Sequence, residues 1–430
     1  MPISQYQTPG IYMQEVSSGA RPIQPVGTST AAFLGVAPDP NACLNRAEFI
    51  DSFLKFVQKF VPAQGAVSTP LSLAVHGFFM NGGSACYVVN LGPDGSVAGN
   101  DRPKSGLKLL EAVDEVAIVA APGFSGAEVY DALLTHCETM GDRFAILDFP
   151  VTKADMDLEP LKLVATAGVS SPPASGPSSG KGAKAGAGDG DGTAALVPAP
   201  PQGLRPRISE NGFGACYFPW IVMADPFGKP DPVTRNRPRI AAPPSGHIAG
   251  IYARADATRG VHKAPANEVV SDALELTYSV TSAEQAQLNP LGINCIRRFN
   301  EGLLVWGART VADGFSDWRY VPVKRTFLMI EESIAKSTRW IVFEPNDEPL
   351  WKRVRFNVEA FLTRVWRDGA LMGRVAEEAF FVKCDSDTNP QENIDAGVVT
   401  IVIGIAPVKP AEFVVFRIGQ RASGSTVTTL

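Results

Sequence analysis

Five segments between residues 30 and 224 are apolar at nearly every position and rich in β-branched and aromatic residues. Runs of this kind are typical of strands that are buried on both faces of a sheet. We therefore predict strands within residues 30–37, 86–91, 115–122, 143–149 and 217–224. Such strands need helices to cover both faces of their sheet.

The segments between these runs place apolar residues at helical spacing. They predict helices over residues 47–60, 71–83 and 125–141, and the last two end in glycine, which commonly terminates helices. Strands that alternate with helices in this way are typical of an α/β domain. We therefore predict an α/β fold class, α+β for the chain as a whole.

Residues 168–204 interrupt this pattern. Glycine, proline, alanine and serine supply 27 of these 37 residues, and the segment contains no aromatic residue. Such a composition cannot bury enough apolar surface to offset the entropy lost on ordering. We predict a disordered insertion on the surface of the domain.

Two β-rich runs lie near the chain ends, "TPGIYMQEV" (8–16) and "EFVVFRI" (412–418). A lone strand leaves its main-chain groups unpaired and is not stable in water, so each run must find a sheet. Termini that are ordered often pair within their own subunit. The residues by themselves leave open whether these two runs do so or pair with another molecule.

Composition excludes several classes of protein. The chain has 430 residues, of which 45% are hydrophobic and 19% charged, enough for two or three domains with large cores. A net charge of −5 argues against a general nucleic-acid surface, and no uncharged apolar run is long enough to span a bilayer. The six cysteines are scattered, so we expect reduced thiols and a cytosolic protein without a signal peptide.

A helix predicted over residues 351–367 carries opposite apolar and basic faces. Its apolar stripe comprises Trp351, Val354, Val358, Phe361, Leu362 and Val365. Arg353, Arg364 and Arg367 lie on the other side, within a segment that is basic inside an acidic protein. The simplest interpretation is a solvated helix face. The alternative is a contact with an acidic partner.

Candidate catalytic chemistry is weak. The four histidines, His76, His136, His247 and His262, are not at metal-ligand spacing. The segment "RGVHKAPANE" (259–268) gathers polar residues but lacks a serine or cysteine nucleophile, and the Gly-Lys pair at 180–181 lacks a phosphate-loop frame. We predict no catalytic residues, no metal and no cofactor. The tryptophans of the last third should anchor cores and subunit interfaces rather than bind a ligand.

Several long segments then follow one another in an order that identifies a family. They are "PWIVMADPFGK" (219–229), "RIAAPPSGHIAGIYARADATRGVHKAPANE" (239–268), "LNPLGINCIRRF" (288–299), "GLLVWGARTVADGFSDWRYVPVKRTFLMIEESI" (302–334), "RWIVFEPNDEPLWKRVR" (339–355) and "KPAEFVVFRI" (409–418). Together they closely resemble the tail sheath proteins of contractile phage tails and related injection systems. "TPGIYMQEV", "TSTAAFLG" (28–35) and "NGGSACYVVNL" (81–91) resemble the N-terminal blocks of that family.

This resemblance implies a domain organisation. An outer α/β domain would span 21–290 and carry the insertion, and an inner C-terminal sheath domain would span 291–409. Arm strands, 1–20 and 410–430, would complete the inner sheets of neighbouring subunits. The residues expected in these lent strands are Ile11, Tyr12, Met13, Glu15, Val16, Phe413, Val414, Val415, Phe416, Arg417 and Ile418.

The resemblance also implies a function. The chain would be a structural subunit that polymerises helically around an inner tube and contracts to drive that tube through a target envelope. Its partners would be other copies of itself, the tube protein toward which Arg353, Arg364 and Arg367 would face, and baseplate and terminal cap proteins. Assembly would be cytoplasmic, within a phage tail or a tail-like particle, without direct contact with nucleic acid or insertion into a membrane. The alternative is a non-contractile α/β binding protein or enzyme that shares the scaffold.

Overall fold

The computed structural model describes residues 22–151, 155–166, 203–413 and 415. The chain divides into two compact units. Among the described residues, the large unit comprises those within 26–331 and those from 407 onward, and the small unit comprises residues 22–25 and 332–406. The whole N-terminal arm (1–20), most of the insertion, and Val414 and Phe416–Ile418 of the C-terminal arm lie outside the described residues. The predicted strand residues Ile11, Tyr12, Met13, Glu15 and Val16 therefore lie outside them as well.

The large unit alternates strands and helices. Its strands are β1 (Ala31–Gly35), β2 (Ala47–Ile50), β3 (Cys86–Asn90), β4 (Ile118–Ala120), β5 (Phe144–Asp148), β6 (Gly214–Phe218), β7 (Ile221–Ala224), β8 (Arg239–Ala242), β9 (Glu268–Val269), β10 (Glu275–Leu276), β11 (Ile293–Phe299) and β12 (Gly302–Trp306). Its helices are α1 (Phe53–Phe60), α2 (Pro70–Met80), α3 (Ala127–Met140), α4 (Glu159–Lys162), α5 (Ser245–Arg259) and α6 (Ser282–Leu288). Helix α7 (Val321–Ser337) contains the boundary between the two units.

Among the described residues, nine strands form one sheet in the order β2-β3-β1-β4-β5-β6-β11-β12-β9. The six strands from β3 to β11 are parallel, while β2, β12 and β9 are antiparallel to their neighbours. Residues of β1, β4, β5 and β6 are buried throughout, as strands covered on both faces must be. The predicted α/β class is confirmed. The strands β10, β7 and β8 form a separate antiparallel sheet.

Helices α2 and α5 pack together at unusually close range because glycines line the contact. A Cβ atom on Gly246 would lie 2.1 Å from the carbonyl oxygen of Ala74, and one on Gly250 would lie 2.5 Å from that of Phe78. A side chain at either position would therefore push the helices apart. The glycine spacing in "SGHIAG" (245–250) thus sets the distance between two backbones.

Two predicted elements were wrong in part. Residues 47–60 do not form one helix, because Ala47–Ile50 pair with β3 and Ser52 then begins α1 by accepting a hydrogen bond from the Lys55 N–H at 3.3 Å. The run 217–224 is not one strand either. It divides at Pro219 into the end of β6 and all of β7, which belong to different sheets. The other predicted strands and helices of the first half lie within the predicted ranges or overlap them closely.

The small unit is built around helix α8 (Glu348–Arg367) with α9 (Ala376–Ala379), α10 (Gln391–Asp395) and the antiparallel pair β13 (Phe380–Lys383) and β14 (Val402–Ile405). Proline follows the Asp347 N-cap closely, and the Asp347 carboxylate accepts the Leu350 N–H at 2.9 Å. Every residue of the predicted apolar stripe of α8 is buried.

Short 3-10 helices span Gly106–Ala112, Asn289–Leu291, Asp317–Arg319 and Arg339–Ile341.

The division between the units differs from the domain boundary that we predicted after residue 290. Strand β11 pairs with β6 in the large sheet, and β12 pairs with β11, so residues 293–306 lie in the large unit. The sequence blocks 288–299 and 302–334 therefore complete the large sheet and only then lead into the small unit.

Candidate assembly surfaces

The pair β13–β14 is a candidate acceptor for a further strand. Among the described residues these two strands pair only with each other, and the sheet they form is otherwise open at both edges. A two-stranded sheet is marginal in water and gains stability when a third strand satisfies an open edge. Phe381 and Val402 keep part of their apolar surface exposed on this sheet.

The small unit exposes further apolar side chains. Phe343 has a backbone φ of 70° and its side chain is fully exposed. Val342 beside it is largely exposed as well. The remaining exposed apolar residues of this unit are Phe356, Met372, Val375, Phe381, Val398 and Val402. These side chains are candidates for contact with another protein.

The three arginines predicted on the polar face of α8 have different surroundings. Arg353 is held within the subunit, since its guanidinium lies 4.6 Å from the centre of the Trp340 ring and 3.3 Å from the Glu344 carboxylate. Arg364 and Arg367 are exposed in the last turn of the helix, where positive charge complements the helix dipole. Lys352 and Arg355, also basic, pair with acidic residues of the same helix.

The root of the C-terminal arm is fixed by Glu412. Arg309 donates to both of its carboxylate oxygens, from Nε to Oε1 at 2.8 Å and from Nη2 to Oε2 at 2.7 Å. Asn289 Nδ2 donates to Oε1 at 2.7 Å and the Tyr320 hydroxyl to Oε2 at 3.0 Å. Burial opposes ionisation, but these donors outweigh it and hold the pKa of Glu412 below its ordinary value. Beyond this point Phe413 and Val415 are 73% and 78% exposed.

Thr28, which precedes β1, is also held by an arginine. Arg325 on α7 donates to the Thr28 carbonyl oxygen at 2.9 Å and to both oxygens of Asp256 on α5. The Thr28 hydroxyl donates to the same carboxylate at 2.6 Å. The arginine is buried over the ring of Tyr252. Thr28 and Glu412 are therefore both held by an arginine of the large unit.

Burial shifts the pKa of several titratable groups in the large unit. Burial lowers the pKa of His136 and His247 to about 4, and burial raises the pKa of Asp148 to about 7. The Asp148 carboxylate accepts the Ser245 N–H and hydroxyl at 2.9 and 2.6 Å, and thereby caps α5. Lys263 of the segment 259–268 donates to the carbonyl oxygens of Ala264 and Ala266. Within the described ranges, no three histidine, cysteine or acidic side chains cluster as metal ligands.

Sequence reasoning missed the Glu412 and Arg325 contacts. Glu412 lies 103 residues from Arg309 and 92 from Tyr320, and Arg325 lies 69 residues from Asp256. No local spacing marks contacts of that range.

The described helices are too short or too polar to cross a membrane.

Comparisons with known proteins identify the relatives of this chain. Residues 211–311 match the model of the phage tail sheath protein central domain, and residues 315–421 match that of the phage tail sheath C-terminal domain. The tail sheath protein of Vibrio phage KVP40 is 26% identical over 176 residues, and that of Salmonella phage ViI is 28% identical over 170. These alignments cover 40% and 38% of this chain but only 25% and 26% of the two relatives.

Solved structures match over nearly the whole chain. A sheath complex of the extracellular contractile injection system PVC, in its contracted state, is similar with a TM-score of 0.70 and 29% identity, covering 97% of this chain and 98% of the other. A chain of the anti-feeding prophage baseplate is similar with a TM-score of 0.67 and 30% identity, covering 97% and 100%. The helical sheath of the same prophage, also contracted, has a TM-score of 0.67 and 29% identity.

Proposed function

The chain belongs to the phage tail sheath family, and on that premise we propose that it is the subunit of a contractile sheath. It polymerises helically around an inner tube and, when triggered, shortens to drive that tube through a target envelope. The observation that carries this proposal is the similarity over 97% of the chain to a sheath complex in the contracted state. The open edges of β13–β14 and the exposed apolar residues of the small unit support it from the chain itself.

Polymerisation requires a contact that does not close on itself. We propose that the strands at 8–16 and 412–418 are lent to the β13–β14 sheets of neighbouring subunits by strand addition. Because donor and acceptor are different surfaces, the contact is head-to-tail and propagates into an open helix rather than a closed dimer. The exposure of Phe413 and Val415 supports this role for the second arm, since each would gain cover from a partner.

Contact with the tube is assigned to the basic end of α8. Arg364 and Arg367 are exposed and can contact an acidic tube surface directly. Arg353 contributes to the same tube-facing surface while it contacts Trp340 and Glu344 of its own subunit. Exposed ion pairs are individually weak, on the order of 1 kcal/mol or less. Repetition along the tube makes such contacts effective while still allowing the sheath to release the tube.

The remaining assignments extend the same proposal. The small unit forms the inner layer with the arms, and the large unit forms the outer layer that carries the insertion. Further partners are the baseplate and a terminal cap, and the particle is a phage tail or a tail-like injection particle assembled in the cytoplasm. Its role is mechanical, so we propose no enzymatic activity.

Electron microscopy of the purified chain tests the function directly. Negatively stained samples, with and without an acidic tube protein, should contain hollow tubes of helical symmetry. Discrete monomers at all concentrations, accompanied by binding or turnover of a small molecule, would instead favour the alternative of a non-contractile α/β protein.

A further inference from the structure

The C-terminal arm begins at a carboxylate that accepts four hydrogen bonds from three side chains. We infer that Glu412 and its donors Arg309, Asn289 and Tyr320 form a clamp that positions the arm for strand addition to a neighbour. We call these four residues the arm clamp. This inference rests on the proposed function, and it assigns positioning residues to one of the two lent strands.

The donors of the arm clamp are held by contacts within the large unit that do not involve the arm. Arg309 and Tyr320 pair across an isolated antiparallel bridge, which brings their side chains to the same place. The Asn294 side chain holds the Arg309 backbone on both sides, accepting its N–H and donating to its carbonyl oxygen, each at 2.7 Å. The Arg309 Nη1 also donates to the Asn289 carbonyl oxygen at 3.2 Å. Glu412 is therefore bound by side chains whose positions are fixed by other residues of the large unit.

The arm clamp is built more strongly than a surface ion pair. The side chains of Arg309 and Glu412 are only 10% and 19% exposed, and the pair is bidentate. Bidentate, partly buried arginine-carboxylate pairs combine charge with a fixed relative orientation. By contrast, the ion pair between Lys409, the residue before the arm, and Asp317, at 3.4 Å, has both side chains exposed. Glu412 is thus the residue that fixes both the position and the direction of the chain.

A fixed root matters for a strand that must find an acceptor on another subunit. Ordering each free residue costs about 1–2 kcal/mol of conformational entropy at association. When Glu412 is clamped, the described residues before it already have fixed positions in the free subunit, so ordering them adds no further cost on pairing. Preorganisation of this kind raises affinity without adding a contact at the interface.

Glu412→Gln tests the inference, because it keeps the shape of the side chain and removes its charge. Two quantities are measured on the full chain: hydrogen-deuterium exchange of peptides covering 409–415 in the free subunit, and the critical concentration for forming sheath tubes. We expect faster exchange confined to those peptides and a critical concentration raised about tenfold or more, in line with the loss of a charge-assisted pair. The control is Glu138→Gln, which removes the same charge from the pair with Arg207 in the same unit.

The outcomes separate this inference from the proposed function. If the unmodified chain forms no tubes, the proposed function fails. If it forms tubes and Glu412→Gln assembles at the same concentration, the inference alone is overturned. Should Glu412→Gln fail to fold, Tyr320→Phe decides, because it removes one of the four hydrogen bonds with little change of shape. An unchanged critical concentration for a folded Tyr320→Phe, or an effect matched by Glu138→Gln, would overturn the inference.

Discussion

Arg325 and Asp256 form a buried pair in which Nη1 lies 2.9 Å from Oδ1 and Nη2 lies 2.6 Å from Oδ2. Their side chains are 3% and 7% exposed. The pair links α7 to α5. Arg325 also donates a hydrogen bond to the Thr28 carbonyl oxygen. The pair is the most deeply buried of the ion pairs between described residues, and a charge left alone there has no access to water.

Removal of one partner should therefore destabilise the large unit severely. Asp256→Asn leaves Arg325 charged and unpaired, and we expect a loss of about 3–5 kcal/mol in the free energy of unfolding. Urea unfolding of the unassembled subunit measures it. Glu348→Gln, which breaks the exposed pair with Lys352, serves as the control and should cost about 1 kcal/mol or less. Equal losses for the two variants would contradict the role of burial.

Acid should destabilise the subunit through His247. Neither ring nitrogen has a hydrogen-bond partner among the described residues, and burial lowers the pKa of this histidine to about 4, against 6.5 in an unfolded chain. Between these values the unfolded state binds more protons, so stability is complete above pH 6.5 and is lost as the pH falls toward 4. The loss is about 3 kcal/mol at most.

The substitution His247→Leu should remove this dependence on pH. The neighbouring side chains of His76 and Asp272, whose Nδ1 and Oδ2 lie 3.2 Å apart, remain in the variant. His136 adds a dependence of the same sign, whereas Asp148, with a pKa of about 7, opposes it. The informative measurement is therefore the difference in unfolding free energy between variant and parent from pH 4 to 7.5. A difference that does not change with pH would contradict the assignment to His247.

Deletion of residues 1–16 should abolish sheath formation without unfolding the subunit. The described core of both units lies elsewhere, so circular dichroism and the melting temperature should stay near those of the full chain. The lent strand is lost, however, and tubes should be absent by electron microscopy. Val414→Pro or Phe416→Pro should act similarly at the other arm, because proline removes an N–H from the ladder. Normal assembly of the truncated chain would exclude strand addition by the N-terminal arm.

Excision of residues 168–202 should preserve both fold and assembly. The ends of the insertion are already joined, since the Ala165 N–H donates to the Arg205 carbonyl oxygen at 2.7 Å and the Arg205 N–H to that of Leu163 at 2.9 Å. A loop that closes on such a base can be shortened at small entropic cost. Thermal unfolding and tube formation of the shortened chain check this. A lowered melting temperature would show that the insertion contributes to packing.

Charge reversal at the end of α8 should weaken growth around the tube. In Arg364→Glu/Arg367→Glu the buried stripe of the helix is untouched, so the subunit should stay folded while tube-templated assembly decreases at low salt. Arg353→Glu is predicted to disturb the subunit itself, since it loses both Trp340 and Glu344. The same change of charge at Lys55 and Lys59 on α1 is the control. Unchanged templated growth of the double variant would remove these arginines from the tube contact.

The sequence by itself determined the elements whose signal is local. The continuous apolar runs predicted the buried parallel strands. The apolar stripe with a 3.6-residue period predicted buried residues of α8, and all of them are buried. Burial of one face of a helix imposes this period on the sequence, so the signal is local. The segments between residues 219 and 418, in their order along the chain, also indicated the family.

Only the tertiary structure decided the features that depend on distant partners. Residues 47–50 are a strand because β3 lies beside them, and the apolar run at 217–224 divides because its halves pair in different sheets. Glu412 is fixed because folding brings Arg309 and Tyr320 to it across about a quarter of the chain. Hydrogen bonds and ion pairs of this range need matching geometry rather than periodicity, and that geometry exists only once the sheet has formed.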